Sequence, residues 1–178
     1  MKKELRRYFI NNRTKISPDD KKIWDKKIKE NFLESDFYKN SKSIFIYYST
    51  DDEIDTKNII KEAFLDKKEV YIPKITGRHK MIPVLLKSFD DLIDGKYKIK
   101  TSKRDETKEK IDLTIVPGLS FDQNKYRLGY GGGFYDYYIK NHKSLYIGLF
   151  YQINKSYKLN FGNFDQKLDL VITDKKIF

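Results

Sequence analysis

Short runs of mostly apolar residues, apolar in succession more than in strict alternation, dictate the kind of sheet this chain can build. They fall at 43–48, 70–73, 81–86, 111–116, 144–150 and 170–172. A strand buried on both faces has no polar side to show, so its residues are apolar in succession rather than alternately. Stretches of helical period lie between most of these runs. Residues 2–15 are amphipathic, the segment after Pro18 carries Ile23, Trp24, Ile28 and Phe32, 56–66 carries Ile59, Ile60, Ala63 and Phe64, and 134–141 follows a glycine cluster. Ser17 before Pro18, Asp19 and Asp20 reads as a helix start. It combines a hydroxyl cap, a proline where no N–H is needed, and two acids at the positive end of the dipole. Strands alternating with helices predict a single α/β domain over 1–178. Its expected form is Rossmann-like and three-layered, a mostly parallel sheet covered by helices on both faces. Ligands of such sheets sit at the carboxyl ends of the strands. Residues 96–110 are highly charged and lack an apolar period, so a mobile loop is expected there.

Composition excludes whole classes of chemistry. The 178 residues include no cysteine. Disulfide frameworks, cysteine zinc sites, thiol catalysis and iron–sulfur clusters are therefore ruled out. No apolar run approaches the roughly 18 residues of a membrane span. The basic opening Lys2-Lys3-Glu4-Leu5-Arg6-Arg7 lacks the apolar stretch of a secretory signal, so a cytoplasmic protein is expected. Lysine plus arginine number 37 against 26 acids, a net charge of +11. Such an excess attracts nucleic acid, nucleotides and acidic small molecules. The lysines are spread along the whole chain, however, and their number alone selects no partner.

The segment 116–136 is the most informative. It reads Val116-Pro117-Gly118-Leu119-Ser120-Phe121-Asp122, then Tyr126-Arg127-Leu128-Gly129-Tyr130-Gly131-Gly132-Gly133-Phe134-Tyr135-Asp136. Four of the chain's 9 glycines crowd together here, between a strand end and a helix start. Glycine admits positive φ and lets backbone amides approach an anion closely. Amides converging ahead of a helix N-terminus favour a phosphate, and Arg127 is placed to reach the same group. Two common phosphate loops are absent. No Gly-Lys-Ser/Thr follows, and the dinucleotide pattern begun at Gly129 ends on Phe134 instead of glycine. Asp136, one turn into the helix, is either a first-turn acid on the dipole or a carboxylate that meets phosphate through a cation such as magnesium.

In the first helix, at about 100° per residue, Lys2, Arg6 and Arg13 fall within about 40° of one another. They run beside an apolar stripe of Leu5, Phe9 and Ile16. Cations along a buried seam either snorkel or line a cleft.

Together these segments resemble the 5-formyltetrahydrofolate cyclo-ligase family, also called methenyltetrahydrofolate synthetases. Residues 116–136 are similar to its runs Val-Pro-Gly-Leu-x-Phe-Asp and Arg-Leu-Gly-Tyr-Gly-Gly-Gly-Tyr-Tyr-Asp. The opening Lys2 to Arg6, with Arg13, is similar to its Lys-x-x-Leu-Arg and further arginine. The resemblance implies an ATP- and magnesium-dependent enzyme that cyclises 5-formyltetrahydrofolate to 5,10-methenyltetrahydrofolate, releasing ADP and phosphate. The γ-phosphoryl group moves onto the formyl oxygen and makes it a leaving group, and nitrogen 10 closes the ring.

By the same resemblance Lys2, Lys3, Glu4, Leu5 and Arg6 contact ATP. So do Arg127, Leu128, Gly129, Tyr130, Gly131, Gly132, Gly133, Phe134 and Tyr135. The folate contacts carried over are Tyr48 and Glu53, from a strand-to-loop segment ending Glu-Ile-x-Thr, with Tyr130, Gly131, Gly132, Gly133 and Phe134. Asp136 and Asp165 are the implied magnesium ligands, the latter from a closing Asp-x-x-x-Asp-x-x-Ile-Thr. Arg127 and Tyr130 are the residues expected to act on the reacting groups. An aromatic ring suits a pterin face and a carboxylate its N–H groups, although an edge-of-core tyrosine and a solvated acid are spelled the same way.

Two positions depart from the family pattern. Lys98-Ile99-Lys100-Thr101 stands in place of a Gly-Ile-x-Glu-Pro-like segment, and Lys125 stands where glycine is common. His79 and His142 are expected at the surface. The expected partners are ATP and 5-formyltetrahydrofolate, with or without a polyglutamate tail. A monomer or weak homodimer engaging neither nucleic acid nor membrane is expected. The competing readings are a non-catalytic nucleotide-binding relative and a basic nucleic-acid-binding module.

Overall fold

A computed structural model describes residues 2–178. The chain opens with α1 (Lys2–Arg13) and α2 (Pro18–Leu33), and a short α3 (Asp36–Asn40) leads into strand β1 (Ser43–Phe45). Helix α4 (Lys57–Leu65) crosses to β2 (Glu69–Gly77), which turns back as β3 (Lys80–Leu86). Two small strands follow, β4 (Leu92–Asp94) and β5 (Lys100–Ser102), and then β6 (Leu113–Val116). A short pair, β7 (Ser120–Phe121) and β8 (Arg127–Leu128), precedes α5 (Phe134–Asn141), β9 (Leu145–Leu149) and β10 (Leu170–Ile172). The main sheet runs β10-β9-β6-β1-β2-β3. Only the edge strand β3 is antiparallel; every other pairing in it is parallel. The mostly parallel sheet expected from the apolar runs is present.

Successive residues of a strand point to opposite faces, which is why the runs are continuous. Ile44, Val70, Ile72, Leu113, Ile115, Ile147 and Leu149 pack into the layer that holds Ile28 and Phe32 of α2 and Ile59, Ile60 and Ala63 of α4. Their neighbours Phe45, Tyr71, Val116, Tyr146 and Val171 enter the other layer with Tyr138 of α5.

Helix α2 begins as its sequence predicts. The Ser17 side chain accepts from the Asp20 N–H at 3.1 Å, and Pro18 opens the helix. Trp24, Ile28 and Phe32 follow one another at four-residue spacing along its buried side, and Trp24 packs 5.5 Å from the Tyr151 ring. Ile23, expected on that side, is 51% exposed. One residue is about 100° of helix, enough to turn it out of the seam.

Three other expectations change. Helix α3 is five residues long, too short to write a period, and its only local sign is the Ser35 cap on the Tyr38 N–H. The ladder of β1 stops at Phe45, although the Ile46 N–H still donates to the Tyr71 carbonyl at 2.9 Å. The stretch 96–110 is not simply a loop. β5 pairs with β4, Thr101 and Ser102 are buried, and the buried Asp91 carboxylate pairs with Arg104 and Lys103. A run of charge hides structure when its partner acid lies upstream. Lys125 holds φ +65°, which explains the family's glycine there. Its N–H donates to the Asp122 carbonyl and its Nζ to the Asp169 carbonyl, so the strained turn is tied at both ends.

Candidate active site

Strand order reverses beside β1, with β2 on one side of it and β6 on the other. Loops leaving two such strands diverge and open a crevice beyond their carboxyl ends. A cleft of about 1430 Å³ lies there. Its walls are the inward edge of α1, the loop after β1, the turn between β2 and β3, the loop after β6, and the glycine segment entering α5.

The glycine segment owes its course to residues without side chains. Gly131 has φ +106° and Gly133, the N-cap of α5, φ +70°. Gly133 offers no side-chain cap, so the first amides of α5 remain for a ligand. The loop is held from two sides. Arg6 Nε donates to the Gly129 carbonyl at 2.9 Å, and His79 Nδ1 lies 2.5 Å from the Gly132 carbonyl. A Cβ on Gly131 would stand 3.2 Å from the Arg6 guanidinium carbon, and one on Gly133 3.1 Å from His79 Nδ1. The positive φ calls for glycine at both positions, and any side chain there would also crowd Arg6 or His79.

Two cation–carboxylate pairs occupy one end of the cleft. Arg127 has its side chain only 4% exposed; it meets Asp136 Oδ1 at 3.0 Å and donates to the Gln166 carbonyl at 3.1 Å. The Gln166 N–H donates to the same Asp136 oxygen at 2.9 Å. Lys2 pairs with Asp165, which also accepts from the Gly162 N–H at 2.6 Å. Burial pushes the Asp165 carboxyl up, but Lys2, the Gly162 N–H and the Arg127 charge outweigh it and hold the group below its usual value. Because Gln166 bonds to Asp136, Asp165 is brought beside it, and both line the cleft. Among the described residues no group of three or more His, Cys, Asp or Glu side chains could hold a metal alone. Two carboxylates completed by substrate phosphates and water are what magnesium ordinarily takes, so this donor set fits it.

Another part of the cleft wall is aromatic. Tyr48 lines the cleft edge-on to Phe89, with ring centroids 5.7 Å apart, and Lys57 Nζ lies 5.4 Å from its own centroid. Glu53 accepts from the Thr50 N–H at 2.9 Å and the Thr50 hydroxyl at 3.2 Å, which fixes the carboxylate in its loop. Burial first, and Glu53 in addition, push the phenols of Tyr47 and Tyr135 up. Tyr130 is raised by burial as well, with Arg13 pulling against the rise and Glu53 adding to it. All three hydroxyls stay protonated at neutral pH.

Most of the sequence-predicted site residues meet in this one cleft. Lys2, Arg6, Tyr48, Glu53, Arg127, Leu128, Gly129, Tyr130, Gly131, Gly132, Gly133, Phe134, Tyr135, Asp136 and Asp165 all line it. Lys3, Glu4 and Leu5 do not. Lys3 and Glu4 are exposed on another side of α1, and Leu5 packs with Phe9, Leu119, Leu128 and Leu159. A helix turns about 100° per residue, so a contiguous motif cannot bring every side chain to one wall. The cleft contacts of α1 are instead Lys2, Arg6, Ile10 and Arg13, near four-residue spacing. Of the two histidines expected at the surface, one is there and one is partly covered. His79 is exposed but forms part of the cleft wall, and His142 is half-buried, stacked 4.1 Å from Tyr138. Sequence reading missed His79, Tyr97 and Phe164 as wall residues. The only sign for Phe164 was its place before Asp165.

Comparison with known proteins gives the family and the fold. The model of the 5-formyltetrahydrofolate cyclo-ligase family matches residues 1–174. A Caenorhabditis elegans protein named "Probable 5-formyltetrahydrofolate cyclo-ligase" is 32% identical over 155 residues, covering 80% of this chain and 74% of the relative. The 5-formyltetrahydrofolate cyclo-ligase of Escherichia coli K12 is 27% identical over 145 residues, covering 76% of this chain and 80% of its own. The NMR structure of Aquifex aeolicus 5,10-methenyltetrahydrofolate synthetase superposes with a TM-score of 0.88 at 27% identity, over 99% of this chain and 91% of that one.

Proposed function

Because the chain belongs to the 5-formyltetrahydrofolate cyclo-ligase family, we propose that it converts 5-formyltetrahydrofolate to 5,10-methenyltetrahydrofolate with ATP, in the cleft described above. One observation carries the reading. The cleft brings two cation–carboxylate pairs, Arg127 with Asp136 and Lys2 with Asp165, to the glycine turn that opens α5. Cations, carboxylates and uncapped helix amides gathered at one wall suit a phosphate and a divalent cation together.

The chain's own residues divide the work by charge. Glycine-loop amides at the start of α5 and the Arg127 guanidinium hold the terminal phosphates. Lys2 and Arg6 approach from α1. Tyr48 packs against the pterin and Glu53 accepts from its N–H groups. The γ-phosphoryl group passes to the formyl oxygen. Nitrogen 10 then attacks the formyl carbon, its proton is released, the C–O bond breaks and phosphate departs. As in other phosphoryl transfers, position and charge neutralisation supply most of the rate. Magnesium, held by Asp136 and Asp165 with the phosphates, would supply further neutralisation of the phosphate charge.

The test is direct. Protein, ATP, magnesium and 5-formyltetrahydrofolate are mixed, and the near-ultraviolet absorbance of the methenyl product is followed with ADP release. Product and ADP should appear in equal amounts. Nucleotide binding without product would leave a non-catalytic relative as the better description.

The reading extends to folates with glutamate tails. A second pocket, of about 590 Å³, shares Ser49, Thr50, Asp51 and Lys57 with the folate end of the cleft. Lys21, Lys22, Lys26, Lys29 and Lys57 line it, against Asp25, Asp51 and Asp55. Reversing Lys22 and Lys26 together to glutamate should raise KM for a polyglutamylated substrate about tenfold, since two exposed pairs at up to about 1 kcal/mol each suffice. KM for the monoglutamate should stay unchanged. Equal KM shifts for both substrates would remove the tail from this pocket.

A further inference from the structure

The turn between β2 and β3 consists of Arg78 and His79, and His79 holds φ +57°. In a tight hairpin, glycine or asparagine takes that left-handed position at less cost. The turn itself therefore gives no reason for a histidine. Its side chain leaves the hairpin and meets the glycine segment, 53 residues further along the chain. Nδ1 lies 2.5 Å from the Gly132 carbonyl oxygen, and the ring lies beside Phe134 with centroids 6.4 Å apart. Gly133 faces the same ring, since a Cβ there would come within 3.1 Å of Nδ1.

A carbonyl oxygen can only accept, so Nδ1 carries a proton and donates it to the bond. The Gly132 carbonyl and the Gly133 N–H belong to one planar peptide unit, so holding the oxygen holds the whole unit. The bond acts where the chain resists least. Gly131 at φ +106° and Gly133 at φ +70° stand on either side of Gly132, and glycine reaches other conformations at little cost. Ordering such a segment only when a ligand arrives lowers affinity, and ordering it beforehand spares that loss. Arg6 restrains the start of the segment through the Gly129 carbonyl, and His79 restrains its end, where α5 begins.

We propose that His79 is a positioning residue for the nucleotide: its Nδ1–H latches the Gly132–Gly133 peptide to the β2–β3 turn and presets the glycine loop for the ATP phosphates. The choice of ATP as ligand rests on the cyclo-ligase reading. The latch itself is a property of the chain alone.

The test compares ATP affinity by calorimetry, and rates of methenyl formation, for wild type, His79→Gly and His79→Asn. Nitrogen NMR of the wild-type imidazole accompanies it. Glycine keeps the left-handed turn and removes the donor. Asparagine also tolerates that φ, and its Nδ2 is bonded to Cγ as the histidine Nδ1 is, so a donor stays within reach. His79→Gly should weaken ATP binding and raise KM for ATP about fivefold, the share of one hydrogen bond, with KM for the folate changed less than about twofold. His79→Asn should stay within about twofold of wild type in ATP affinity. The neutral wild-type ring should carry its proton on Nδ1. The proposal is overturned by a glycine variant within about twofold of wild type, an asparagine variant more than about fivefold weaker, or a neutral ring protonated only at Nε2. Should the glycine variant fail to fold, the asparagine variant and the ring tautomer still decide it. Wild-type chain that binds ATP but forms no product overturns the reaction assignment and leaves the latch to be judged on ATP affinity. Wild-type chain that binds no ATP overturns both. Product formation with ATP affinity indifferent to His79 overturns this inference alone.

Discussion

Arg127→Met should cut methenyl formation about a thousandfold, the low end of what an arginine on a transferring phosphoryl group contributes. Methionine keeps much of the apolar stem and removes the charge. The arginine side chain is 4% exposed, donates to the Gln166 carbonyl, pairs with Asp136 and belongs to a residue lining the cleft. Its loss leaves Asp136 with the Gln166 N–H and with partial access to water, so the fold should survive with a small drop in melting temperature. Arg127→Lys supplies the control. A lysine restores charge but not the planar fork, and should recover no more than about tenfold of the loss. A methionine variant within about tenfold of wild type would separate Arg127 from the phosphoryl group.

The second large effect is expected at Asp136. Asparagine is the informative substitution, because its amide oxygen can still accept from Gln166 while the charge is gone. Alanine would remove that bond as well and confuse binding with folding. Asp136→Asn should lower turnover at least about a hundredfold and raise the magnesium concentration needed for half-maximal rate. ATP binding measured without magnesium should be retained or tightened, since Arg127 is released from its carboxylate. That pairing of results distinguishes a metal ligand from a partner that merely holds Arg127. Normal turnover with unchanged magnesium dependence would leave Asp136 only the second role.

Continuous apolar runs announced a sheet buried on both faces, and the two layers take alternate residues, Ile44 against Phe45 and Ile115 against Val116. The start of α2 was legible because a cap is a local event, written in Ser17, Pro18 and Asp20. The charged stretch holding β5 was misread because its stabilising acid, Asp91, lies before it and its strand partner is β4. The stretch taken from Lys96 onward leaves out both Asp91 and β4. Along α1 the side chains of Lys3, Glu4 and Leu5, part of the contiguous motif, lie outside the cleft lining. Helical geometry selects Lys2, Arg6 and Arg13 for the cleft and sends Leu5 into the apolar cluster.

By itself the order of residues determined the sheet, the glycine turn and the acids and cations that chemistry on a phosphate requires. These are short-range matters of period, backbone freedom and residue type, which neighbours in the chain settle among themselves. Tertiary structure alone decided who faces whom. It put Asp165 beside Asp136, brought His79 onto the glycine loop from a hairpin far earlier in the chain, and set Arg13 between Gly118 and Tyr130. Such meetings depend on how layers stack and where strand order reverses, and the energy that fixes them is shared by the whole core rather than by any segment.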